Sequence, residues 1–180
     1  TELDLRAAIA EGQLRLVYQP VLTIDGSPQF DSVEALLRWD HPERGLISPD
    51  EFIPIAETSG QMTVLGEWAL ARALKDSARW PGLQVAVNLS PVQLKSDGFV
   101  RRVHRMVMES HVRPSQIIFE VTENVMMDAS GQAGQSLKEL RDLGFKIALD
   151  DFGTGYSSLS YLRKFRFDRL KMDRSFIEGV

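Results

Sequence analysis

The sequence predicts an α/β fold in which strands and helices close into a (β/α) barrel, and two observations carry that prediction. Strand-like runs alternate with amphipathic helical segments, the spacing expected of parallel strands joined by helical crossovers. The strands also sort their side chains by parity. One face of each is apolar, and the other carries a polar group near the C-terminal end: Glu34, Asn88, Glu120, Asp150 and Lys171. A doubly wound sheet would bury all five under helices, and an unpaired buried charge costs several kcal/mol. A barrel gathers them at one mouth, where barrel enzymes keep their active sites.

Residues 2–11 read as a short helix, and Leu14 to Leu22 as a strand interrupted by Gln19-Pro20. After a turn at Asp25-Gly26, Ser32 to Trp39 is the second strand, with Val33, Ala35 and Leu37 opposing Glu34 and Leu36. Ser48-Pro49-Asp50-Glu51 begins a helix: serine as cap, proline at the first helical position, glutamate three residues past the cap. The helix from about Met62 to Trp80 is expected to bury Val64, Trp68, Ala71, Leu74 and Ala78, which recur at steps of three and four. Gln84 to Leu89 is the third strand, and Ser90-Pro91-Val92-Gln93 repeats the capping pattern directly after it. Phe99, Val103 and Met106 mark the next helix, and Ile117 to Thr122 the fourth strand. A helix with Ala133, Leu137, Leu140 and Leu143 on one face stops at Gly144, a good C-cap. The fifth strand starts at Lys146, Ser157 to Phe165 is a short helix, and Arg169 to Asp173 is the sixth strand.

At 180 residues, 43% of them hydrophobic and 26% charged, the sequence suits one soluble globular domain spanning 1–180. Its net charge of −4 argues against general nucleic-acid binding, DNA included, which needs a basic face. A phosphorylated small molecule held through metal ions stays compatible with that charge. Cysteine is absent, so disulfides, zinc–thiolate sites and cysteine nucleophiles are excluded. His41, His104 and His111 are scattered without metal-ligand spacing. Neither a signal peptide nor an apolar run of about 18 residues is visible, so a cytoplasmic location is expected, with a membrane anchor elsewhere in a longer parent protein left open.

The chemistry concentrates in Lys146 to Gly155, where an apolar strand ends in two carboxylates and then a turn with two glycines. Taken alone, this stretch fits a solvated acidic turn as well as it fits a ligand loop. In a barrel, Asp150 joins Glu34, Glu120 and Asn88 in an all-oxygen ligand set that suits Mg²⁺ or Mn²⁺ rather than zinc. Asp151 can add a ligand for a second ion if the chain turns directly after Asp150. Two such ions roughly 3.5–4 Å apart can activate water and stabilise an in-line displacement at phosphorus. Lys171, beside them by parity, is placed to hydrogen-bond that water. Asp151-Phe152-Gly153 also invites a protein-kinase reading, but the glycine-rich phosphate loop, the strand lysine ahead of it and the His-Arg-Asp loop are all missing.

Six motifs go further. They are Tyr18-Gln19-Pro20, Glu34-Ala35-Leu36 with Leu37-Arg38-Trp39, Asn88-Leu89-Ser90, Glu120-Val121-Thr122-Glu123, Asp150 to Gly155, and Lys171-Met172-Asp173. In their order and spacing the chain resembles the EAL domains of bacterial cyclic di-GMP signalling. The resemblance implies a TIM-like barrel that hydrolyses cyclic di-GMP to linear pGpG with two Mg²⁺ or Mn²⁺ ions. It implies that Glu34, Asn88, Glu120 and Asp150 hold the first metal and Asp151 the second, with Glu34, Asp151 and Lys171 as the catalytic set. By the same likeness Lys171 assists the attacking water and Arg38 contacts a phosphate of the ligand. Gln19, Leu37, Asn88 and Asp173 complete the ligand contacts. Glu123 anchors the Asp151–Gly155 loop, whose position links dimerisation to activity in the family. A homodimer through the barrel, and a fused sensory or GGDEF-type domain in the parent protein, are the partners implied besides cyclic di-GMP.

The family's barrel has two further βα units, carrying another metal-binding glutamate and a ligand-contacting glutamine. A barrel takes about 250 residues and a βαβ unit about 30, so the expectation is an incomplete barrel lacking its last two units. Glu178, in the linker after the sixth strand, does not replace the absent glutamate. Two other roles remain at this point: an inactive receptor for cyclic di-GMP, and a purely protein-interaction module. Degenerate members of the family lose the Glu-Ala-Leu triplet, the Asp pair or the lysine, all of which stand here.

Overall fold

Seven strands form one sheet in a computed structural model that describes residues 1–22, 28–126, 131–152 and 165–172. The strands are β1 (Leu14–Leu22), β2 (Pro28–His41), β3 (Gly45–Ile47), β4 (Gln84–Asn88), β5 (Ile117–Thr122), β6 (Lys146–Phe152) and β7 (Arg169–Met172). The helices are α1 (Glu2–Glu11), α2 (Pro49–Thr58), α3 (Met62–Ser77), α4 (Pro91–Leu94), α5 (Phe99–Ser110), α6 (Glu123–Met126) and α7 (Gln132–Asp142). The sheet runs β1-β2-β4-β5-β6-β7, with β3 paired to β2. The expected turn at Asp25-Gly26, the helix from Ser157, the glycines Gly153 and Gly155, and Asp173 lie outside the described residues.

From β2 to β7 the pairs are parallel, as the strand–helix alternation predicts. The first pair differs. β1 and β2 run antiparallel, from Leu14 opposite Trp39 to Leu22 opposite Pro28. Too few residues separate them for a crossover, since a parallel connection needs a dozen or more. β2 pairs with β4 only as far as Ala35 opposite Val87. Its further length to His41, beyond the expected end at Trp39, is held by β1 and by the three-residue β3. Glu34 therefore stands at the end of the parallel stretch although it lies mid-strand.

The sheet is curled. Laid flat, β2 and β7 would stand four spacings apart, about 19 Å at ~4.8 Å each. Yet Lys171 of β7 reaches Glu34 Oε2 at 2.8 Å, and Arg169 reaches Ser32 Oγ at 2.5 Å. Two side chains cannot bridge the flat distance, so the polar faces turn inward as in the predicted barrel. Among the described residues, β1 and β7 are the two ends of the sheet.

The outer strand faces carry the main core. Val85, Val87, Ile117, Phe119, Val121, Ile147 and Leu149 pack with Leu70, Leu74, Val103, Val107, Leu137 and Leu140 of the covering helices. Full burial of each large aliphatic side chain contributes about 1.5–3 kcal/mol. Inside the curl, Ala86, Ile118 and Ala148 form a separate thin layer. The predicted parity therefore holds on β4, β5 and β6.

α3 buries a face that only partly overlaps the one its spacing suggests: Leu74 is buried and Trp68 packs partly buried on the core, as expected. Leu65, Leu70, Ala73, Leu74 and Ser77 are buried, whereas Val64 is 56% exposed and Ala71 and Ala78 face outward. Apolar residues spread so widely around this helix that two stripes satisfy the three-and-four rule, and packing against β1 and β4 chooses between them. α3 also ends at Ser77, short of Trp80, whose ring packs edge-on against Tyr18 at 4.8 Å. α2 begins at Pro49 as its signals predict, but the Ser48 side chain makes no cap bond and Glu51 pairs with Arg44 instead. The capping box Ser90–Gln93 does form. α7 ends before Gly144, whose φ of 94° needs a residue without a Cβ.

Candidate active site

The interior polar residues converge on Lys171. Its ammonium donates to Glu120 Oε2 at 2.7 Å, Glu34 Oε2 at 2.8 Å and Asp150 Oδ2 at 3.1 Å. Asn88 Nδ2 donates to Glu34 Oε1 at 2.9 Å. Oxygen atoms of the three carboxylates lie within 4.8 Å of one another. Thus β2, β4, β5, β6 and β7 each deliver one side chain of matching parity to a single point. The sequence places Lys171 beside the carboxylates; the structure places it between them, as their counter-ion.

β5 is the most enclosed of these strands, and Glu120 is only 3% exposed. Burial, with Glu34 and Asp150 close by, pushes the Glu120 carboxyl up to about 7 against the opposing pull of Lys171. Burial also opposes ionisation of Glu34, but the Lys171 ammonium and the Asn88 amide outweigh it and hold that carboxyl below its usual value. Burial disfavours the charge on Lys171, yet Glu120 and Glu34 raise its pKa above the ordinary lysine value. With all groups ionised, three carboxylates against one ammonium leave two negative charges in excess. The donor set is all oxygen, and the ammonium shows that a cation fits between the carboxylates. These residues therefore suit a hard divalent ion.

At the end of β6 the register breaks. Leu149 pairs with Leu170 and Phe152 with Met172, so Asp150 and Asp151 together oppose Lys171. Two residues against one form a β-bulge, a device that re-aims side chains beside active sites. Asp151 takes a φ of 54°, a left-handed conformation that aspartate tolerates better than most residues, and its N–H donates to Asp150 Oδ1 at 3.0 Å. Simple strand alternation thus stops at Asp150.

The remaining candidates surround this centre. Gln19 stands directly across from Glu34 in the β1–β2 register. Arg38 lies two interior positions beyond Glu34, its guanidinium donating to Leu37 O at 2.8 Å. Leu37 lies on the opposite face of β2 and lines a cavity of about 300 Å³ with Pro49, Ile53 and Met62, a space that also reaches Asn88 and Glu120. Glu123 opens α6 directly after β5, and α6 packs against β6.

Three polar braces went unseen in the sequence. Ser90 Oγ donates to Glu57 Oε1 at 2.5 Å. The Tyr18 hydroxyl donates to Asp76 Oδ2 at 2.7 Å, and Arg72 Nε joins it at 3.0 Å. Arg169 donates to Ser32 Oγ and to Gln84 Oε1 at 2.5 and 2.6 Å. Arg169 shares the parity of Lys171 and was open to the same rule. Glu57 and Asp76 meet partners 33 and 58 residues away, with no local signal to mark them.

Residues 2–180 match the family model described as the EAL domain. Protein y4lL of Sinorhizobium fredii is 46% identical over 180 residues, covering 99% of this chain and 22% of that protein. The bifunctional diguanylate cyclase/cyclic di-GMP phosphodiesterase MucR of Pseudomonas aeruginosa is 41% identical over 182 residues, covering 98% of this chain and 26% of that protein. The chain thus spans about a quarter of the length of these curated relatives. The solved structure of the PaMucR phosphodiesterase in its c-di-GMP complex matches with a TM-score of 0.89 at 43% identity, over 98% of this chain and 73% of that one. No helix among the described residues is long and apolar enough to cross a membrane.

Proposed function

The chain belongs to the EAL domain family and has its TIM-like α/β fold, and from that premise we propose that it hydrolyses cyclic di-GMP to linear pGpG. The observation that carries the reading is the meeting of Glu34, Glu120 and Asp150 around one cation-sized point, with Asn88 attached to Glu34. Water adds to one phosphorus of the cyclic dinucleotide, the bond from that phosphorus to a 3′ oxygen breaks, and the proton released by water ends on the departing 3′ hydroxyl. Two Mg²⁺ or Mn²⁺ ions, held by Glu34, Asn88, Glu120, Asp150 and Asp151, would supply the positive charge that activates the water and shields the phosphate.

The protein's own groups do the rest. Lys171, whose ammonium sits among Glu34, Glu120 and Asp150, is placed to donate a hydrogen bond to the water. Arg38 offers a planar fork to a phosphate. Gln19 lines the entrance across from Glu34, Leu37 gives apolar surface to a base, and Asp173 completes the ligand contacts. Glu123 braces the loop that begins at Asp151. In a longer parent protein, with a sensory or GGDEF-type domain attached and dimerisation through the barrel, the reaction would lower cytoplasmic cyclic di-GMP. Retention of the Asp150–Asp151 pair and of Lys171 speaks against a receptor that has lost catalysis.

Incubating the intact parent domain with cyclic di-GMP and Mg²⁺ should yield pGpG on chromatography, and chelation of the metal should stop it. A well-folded intact domain that makes no product at saturating Mg²⁺ overturns the reading.

A further inference from the structure

Asn88 ends β4, and the turn after it is fastened residue by residue. The Leu89 N–H donates to Glu120 O at 2.8 Å, carrying the β4–β5 ladder one step past Asn88. The Ser90 N–H donates to Gln93 Oε1 at 3.1 Å, and Ser90 Oγ accepts from the Val92 N–H at 3.2 Å. Gln93 is 2% exposed, and a Cβ on Gly66 would stand 1.9 Å from its Nε2, so α3 must present glycine for this amide to reach the turn. These bonds complete the cap without help from elsewhere. Glu57 is additional. It comes from the last turn of α2, accepts the Ser90 hydroxyl proton at 2.5 Å, and shares a cavity wall with Asn88 and Glu120.

We propose that Glu57 is a positioning residue for the metal site: through Ser90 it fixes the turn that carries Asn88 and so keeps the Asn88 amide on Glu34. This rests on the metal-site reading above. The path is short, from Glu57 Oε1 to Ser90 Oγ, through two backbone steps to Asn88, and on to Glu34 Oε1 at 2.9 Å. A carboxylate acceptor makes a shorter and stronger hydrogen bond than a neutral one, which suits a group that must restrain a turn from a separate helix.

The test is Mn²⁺ binding to the purified protein by equilibrium dialysis, a readout independent of hydrolysis, with thermal unfolding recorded alongside. Glu57→Ala should weaken Mn²⁺ binding by about 10- to 100-fold, the range typical when groups that orient metal ligands are removed. It should raise the Mn²⁺ concentration for half-maximal turnover by the same factor, with kcat recovering at saturating Mn²⁺. Glu57→Gln keeps an acceptor and should restore most of the affinity. Ser90→Ala should match Glu57→Ala, and the double variant should fall no further. Wild-type Mn²⁺ affinity in Glu57→Ala, with or without a lower melting temperature, overturns the proposal, as does an additive loss in the double variant. Should Glu57→Ala fail to fold, Ser90→Ala and Glu57→Gln decide by the same readings. A wild-type protein that binds no Mn²⁺ overturns the metal-site reading together with this one, whereas wild-type binding with an indifferent Glu57→Ala removes only the positioning role.

Discussion

The two ends of the curled interior are tied by the same strand to opposite effect. β7 sends Arg169 and Lys171, two residues apart, across the inside, each to a partner on β2 137 residues earlier. At the lower end Arg169 meets neutral oxygens of Ser32 and Gln84, and Ser32 is fully buried. At the upper end Lys171 meets three carboxylates. Ala86, Ile118 and Ala148 keep the two clusters apart. In the lower cluster the guanidinium of Arg169 donates one bond each to Ser32 and Gln84, and no carboxylate takes part. The upper cluster is short of positive charge. Parity and topology are the same at both ends, so the sign of the excess charge makes one a lock and the other a candidate cation site.

That contrast is broken if the two ends respond alike to change. Glu34→Ala has the largest expected effect, a fall in kcat/KM of at least about a thousandfold, or ~4 kcal/mol of transition-state stabilisation, with thermal unfolding close to wild type. Unchanged turnover would sink the metal assignment. Arg169→Leu strips the donors from Ser32 and Gln84, and should cost about 2–3 kcal/mol in urea unfolding while leaving Mn²⁺ affinity alone. A loss of affinity comparable to that of Glu34→Ala would mean the ends are not independent.

The third expectation concerns pH. Metal must displace the proton from Glu120, whose carboxyl burial has lifted to about 7. Mn²⁺ affinity should therefore rise by up to about tenfold per pH unit, ~1.4 kcal/mol, as pH climbs towards 7, and flatten above it. Without metal the sign is reversed. A carboxyl with a raised folded-state value adds stability that is complete below its ordinary 4.5 and is lost as pH rises through about 7. Unfolding curves at several pH values, with and without Mn²⁺, check both halves, and a flat affinity profile would contradict the role given to Glu120. The smallest effect is that of Ser32→Ala, about 1 kcal/mol of stability and none on turnover.

Much of this was legible because parity is a local property. Alternation along β4, β5 and β6 names the residues that face inward, and Asn88, Glu120 and Asp150 followed directly from it. What needed the structure is whatever packing or distance decides. The curl brings Lys171 between the carboxylates rather than beside them, and no local pattern encodes that. The bulge at Asp150–Asp151 is set by pairing with β7, so alternation misleads one residue too late. α3 offers two apolar stripes, and only its neighbours select Leu65 and Leu70 over Val64. β3 is three residues long, below any pattern length. The Ser90–Gln93 box was readable within four residues, while its partner Glu57 sits on another helix.

The contact between Lys171 and Glu34 spans 137 residues, so it also bears on how the chain acquires its fold. The β1–β2 hairpin and each successive βα unit can form from neighbouring segments, but this contact must wait for the longest loop to close. A strand slipped by a single residue would turn its polar group to the outer face and leave the cluster a ligand short. Appearance of tight divalent-ion binding during refolding would then report something no local probe does: that five strands have docked in the correct register, with the last of them in place.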